Sequence, residues 1–91
     1  MLNKVKQALS LTTEDFDDEI QENIDAARAE MVRSGIAQDK ADSDTDPLII
    51  KAIKTFCQKE FYADEKELYE RFDQSFVLQI DNLRKSKGYM A

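Results

Sequence analysis

Two groups of carboxylates have the greatest chemical potential in this chain. Glu14, Asp15, Asp17, Asp18 and Glu19 surround Phe16, while Asp42, Asp44 and Asp46 alternate with Ser43 and Thr45. Paired carboxylates can divide acid and base roles in proton transfer. Neighbouring residues of a helix project in different directions, however, so the first group does not converge on one reacting atom. The chain has no histidine, so the usual nucleophile–base pairs cannot be drawn, and a Ser–Lys pair is unmotivated. The second group has the alternate-oxygen spacing that opens a calcium loop. That pattern then fails, because Pro47 stands where the sharp turn needs glycine and Ile53 where a bidentate glutamate is needed. We therefore expect no catalytic residue, no metal site and no cofactor. The first group reads as a solvated helix start and the second as a flexible linker ending in a helix cap. A functional acidic surface, or a protruding loop that touches a partner, is the other reading.

The remaining chemistry-bearing residues point to packing and binding. Cys57 lies in an apolar run and reads as a buried, inert thiol. Phe56, Phe61, Tyr62, Tyr69, Phe72 and Phe76 could stack nucleobases. Most of them fall on helical apolar stripes, so a core role is expected, with Tyr62 and Tyr69 as the exposed exceptions. The tail Arg84-Lys85-Ser86-Lys87-Gly88-Tyr89 is basic with an aromatic anchor. It reads either as a frayed end or as a docking peptide.

Helices must position these groups. Leu2, Val5 and Leu9 have helical spacing over residues 1–9. Thr13 is the expected N-cap of a second helix over about 14–34. Its first turns gather the carboxylates that complement the helix dipole. Phe16, Ile20, Ile24, Ala27 and Met31 form its apolar stripe. Gly35 is placed to end that helix in a left-handed conformation, with Ile36 folding back onto the last turn. Residues 37–46 read as a polar linker. Asp46 and Pro47 open a third helix as cap and first residue, and its Leu48, Ile49, Ile50, Ile53, Phe56, Cys57 and Phe61 make it the central one. Leu68, Phe72, Phe76, Ile80 and Leu83 define a long last helix over about 64–85, with Tyr69 and Val77 widening the stripe. No strand signal or internal repeat is present. The expected fold is all-α, a compact bundle of about four helices with a long C-terminal helix, forming a single domain over 1–91.

Charge narrows the function. The net charge is −6, which gives no general attraction to nucleic acid or to an anionic membrane surface. Residues 1–46 hold 12 acidic against 5 basic side chains, whereas residues 47–91 hold 7 against 8. The first residues are too polar to begin a signal peptide, and no stretch approaches a membrane span. An intracellular protein is expected.

The order of these signals resembles a known family. Phe16-Asp17-Asp18-Glu19-Ile20, Ile24-Asp25-Ala26-Ala27 and Ser34-Gly35-Ile36 are similar to the opening of small head–tail connector proteins of tailed bacteriophages. So are Asp46 to Ile53, Phe56-Cys57, Phe61, and Tyr69-Glu70-Arg71-Phe72 with Ser75, Phe76, Leu83 and Tyr89. The likeness spans almost the whole chain and is greatest for phages and prophages of low-GC Gram-positive hosts. It implies a non-enzymatic structural protein of the virion neck, present in host cytoplasm during assembly. It further implies a homo-oligomeric ring below the portal protein that offers a surface to a downstream neck or tail-completion protein. DNA would pass through the ring's channel without specific binding, with no membrane involved. By analogy, residues 84–91 would be a flexible tail docking on the portal through Arg84, Lys85, Lys87 and Tyr89. Asp39, Asp42, Asp44 and Asp46 are candidates to face the channel or an interface. The competing reading is a small acidic helical adaptor or regulator with a single partner.

Overall fold

The computed structural model describes residues 1–91. The chain folds into five α-helices and a closing turn: α1 (Leu2–Ala8), α2 (Asp17–Arg33), α3 (Gln38–Ala41), α4 (Pro47–Phe61), α5 (Lys66–Arg84) and a 3₁₀ turn at Lys87–Tyr89. It is an all-α bundle, as expected. α4 is the middle element. On one side Ile20, Ile24, Ala27 and Met31 of α2 are buried, and on the other Phe76, Ile80 and Leu83 of α5. Ile49, Ala52, Ile53, Phe56 and Cys57 are the buried apolar residues α4 sets between them. A helix with neighbours on two sides needs a wide apolar face, which accounts for its hydrophobic sequence. Burial pushes the Cys57 thiol up to about 12, so it is an inert packing group.

Two helix boundaries follow directly from local chemistry. Asp46 Oδ1 accepts the Leu48 N–H at 2.9 Å and Pro47 opens α4. α2 ends in a Schellman arrangement, with the Ile36 N–H bonded to Met31 O and the Gly35 N–H to Val32 O. Gly35 has φ of +104°, and Ile36 is fully buried. A Cβ at Gly35 would meet nothing within 4 Å, so only the backbone resists substitution. Gly35→Ala is expected to cost about 1–2 kcal/mol, read by urea denaturation, with an unchanged fold.

Three expectations need correction. α2 starts at Asp17, not near residue 14, because Thr13 Oγ1 accepts the Asp15 N–H (3.2 Å) and holds a turn before the helix. Phe16 is therefore off the buried stripe. It is 38% exposed, with its ring edge-to-face with Phe61 at 5.8 Å. Second, the polar linker contains α3, whose Ala41 is fully buried. Third, the stripe of α5 is buried only in its C-terminal half. The first turns of α5 lie beside the last turn of α4, where Lys59 reaches Asp73 at 3.5 Å and the Tyr69 ring at 5.8 Å. There Leu68, Tyr69 and Phe72 are half-buried, with Phe72 stacked on Tyr62 at 6.0 Å. Tyr62 and Tyr69, expected to be exposed, are half-buried by the same arrangement. Val77 turns out to solvent beside the still more exposed Leu78.

Candidate interaction surface

The acidic loop and the basic tail, far apart in sequence, meet at one end of the bundle. The Tyr89 hydroxyl donates to Asp46 Oδ2 at 2.7 Å. The Ala37 N–H bonds to Tyr89 O at 2.8 Å, and the Ala91 N–H to Gly35 O at 3.0 Å. Where a free tail was expected, residues 87–91 form a short segment laid along the end of α2, with Met90 bridged to Ile36. The same αL turn at Gly35 that ends α2 exposes the backbone groups this segment pairs with.

Asp46 thus caps α4 and anchors the tail. The Tyr89 hydroxyl holds its carboxyl below the usual carboxylate value, and the carboxylate in turn raises the Tyr89 phenol. Asp44 is engaged as well. Its Oδ1 lies 2.6 Å from Arg28 Nη2, which holds this carboxyl below its usual value. Arg28 also donates to Ala41 O and Ser43 O, and Lys4 to Asp44 O. These four bonds fasten the loop to α1 and α2. Asp42 accepts from Gln38 within α3, and Asp39 is exposed in the first turn of α3.

In the tail, Arg84 pairs with Asp81 at 3.4 Å, while Lys85 and Lys87 are exposed and make no ion pair. Of the eight residues singled out from the sequence, Tyr89, Asp44 and Asp46 hold the surface together. Lys85, Lys87 and Asp39 face outward from it.

Lys59 escaped the reading of the sequence. It is only 8% exposed, with its ammonium 4.3 Å from the Phe56 ring centroid and 3.6 and 3.5 Å from Glu60 and Asp73. Its apolar stem packs among aromatics while the charge reaches the edge of an open groove of about 430 Å³, where Phe76, Ile80 and Arg84 also lie. The available signal was its position: Ala52, Phe56 and Lys59 fall on one face of α4 at steps of four and three.

A family model described as phage connector protein matches residues 1–86 of the chain. No curated protein and no solved structure matches.

Proposed function

The chain belongs to the phage connector protein family, and from that premise we propose that it is a neck protein joining head to tail. In this reading copies assemble as a ring on the portal and extend the DNA channel. The lower rim meets a downstream neck or tail-completion protein. The observation that carries the reading is the family match across 86 of 91 residues, since this family is structural. Two physical features support it. A small domain gains stability from neighbours that bind only its folded state. A net charge of −6 lets a DNA duplex pass a protein wall without being held, because phosphate binding needs cationic partners. Arg84, Lys85, Lys87 and Tyr89 are assigned to the portal contact, and Asp39 and Asp42 to the channel or subunit boundary. Asp44 and Asp46 shape that loop from behind.

The test uses a tagged copy expressed in a phage-producing lysate and separated on a density gradient. Co-migration with DNA-filled heads is expected. Soluble tagged protein absent from every particle fraction would overturn the neck assignment.

A further inference from the structure

The two ends of the bundle differ in a way that suits one copy to the next. At the end where α4 stops, the segment Glu14–Glu19 presents the exposed carboxylates of Glu14, Asp15, Asp18 and Glu19 around the exposed ring of Phe16, while Asp17 turns back to pair with Lys6 at 2.8 Å. At the other end, flanking the start of α4, a groove of about 200 Å³ is lined by Leu48, Lys51, Gln79, Asn82, Leu83 and Ser86. It contains no carboxylate, and its one charge is the exposed Lys51. Leu48 is 54% exposed on its wall. Isolated apolar residues on a surface are ordinary, but a concave wall of leucine beside a lysine forms a receptor for an acidic segment with an aromatic anchor. Gln79 donates to Thr55 Oγ1 and leaves its own Oε1 buried without a hydrogen-bond donor. The first turn of α2 has the reverse deficit, because no side chain caps its N–H groups.

We propose that a second copy of this chain occupies the groove, inserting Phe16 between Leu48 and Leu83 and setting Asp18 against Lys51. Leu48 and Phe61 are 13 residues apart on α4, so donor and receptor are separated by about 20 Å of helix. They also lie on opposite flanks, α2 and α5. The contact is therefore head-to-tail, and a head-to-tail contact closes into a ring when its rotation permits. This deepens the ring reading above and rests on it for closure, but the pairing of faces is carried by the groove and the segment themselves.

The test places Asp18→Cys and Asn82→Cys in one full-length chain and applies a short bismaleimide, both in concentrated solution and on gradient-purified particles. Both positions are exposed, whereas Cys57 is buried and held as a thiol, so the reagent reports only the new pair. A ladder of cross-linked multimers is expected from the double variant, and only monomer from either single variant. Dimers from a single variant would reveal a symmetric contact and overturn the proposal, as would monomer alone from the double variant in both settings. A charge swap gives the second check. Lys51→Glu and Asp18→Lys should each weaken self-association about tenfold or more, while an equimolar mixture of the two should recover it. Failure of the mixture to recover would also overturn the pairing. A ladder in solution from protein absent from heads would sink the neck role while leaving this contact intact. Head-bound protein without the ladder would do the reverse.

Discussion

Ile53→Ala is expected to destabilise the domain by about 2–5 kcal/mol. Ile53 is fully buried on α4, the helix packed between α2 and α5. Truncation there removes apolar contact and leaves a space that two opposed helices cannot both close. A domain of this size has a total stability of about 5–15 kcal/mol, so the loss is a large share of it. Urea denaturation followed by circular dichroism checks this, with the midpoint falling and the slope unchanged. Leu78→Ala is the control. Leu78 is equally apolar but 63% exposed, and its loss should shift stability by no more than about 0.5 kcal/mol. A large effect at Leu78 in the free monomer, or a small one at Ile53, would contradict the placement of the core. The same reasoning lowers the expected cost of Phe72→Ala below the range for core phenylalanines, because the ring, stacked on Tyr62, is only half-buried.

Much of this fold was legible because its signals are local. The Asp46-Pro47 start of α4 and the Gly35-Ile36 end of α2 depend on hydrogen bonds within a few residues, and the structure has both. The buried stripe Ile20, Ile24, Ala27, Met31 depends only on helical period. What could not be read depends on how neighbouring elements meet. Phe72 has the right spacing for the core, yet its ring stacks on Tyr62 and is only half-buried. Thr13 has the right chemistry for a cap, yet its hydroxyl closes a turn two residues on. The surface shows the same division. Charge composition singled out the acidic loop and the basic tail separately. Their junction through Tyr89 and Asp46 spans 43 residues, and no periodicity or composition encodes such a pairing. Lys59 was hidden for a related reason, since a lysine on an apolar face reads as solvent-exposed until the aromatics around its stem are seen.

Removing residues 85–91 is expected to abolish association with the portal and leave helicity nearly unchanged, because α5 ends at Arg84. Retained portal binding by the truncated chain would sink the docking assignment. Truncation removes two things at once, the outward lysines and the seated Tyr89, and separate variants divide them. Lys85→Glu with Lys87→Glu reverses exposed charges that make no internal ion pair, so stability should hold while binding falls by tenfold or more. Tyr89→Phe keeps the ring against the core and loses only the hydroxyl bonded to Asp46, a cost of about 1 kcal/mol. The pH dependence of tail seating has a sign fixed by the same pair. Asp46 is held below its ordinary value of 3.8, so its contribution is complete above that value and fades as pH falls through the lowered one. Tyr89 is raised above its ordinary 10.0, so its contribution is complete below pH 10 and fades as pH climbs past the raised value. Tail seating should therefore be flat across the neutral range and weaken at both extremes, with Tyr89→Phe abolishing the alkaline limb and, because the same hydroxyl is the main group lowering Asp46, most of the acid limb as well. Tyrosine absorbance and the exchange of the Ala91 amide report the two limbs. If the alkaline limb survives in Tyr89→Phe, the hydroxyl does not hold the tail, and the backbone bonds to Gly35 and Ala37 carry the segment by themselves.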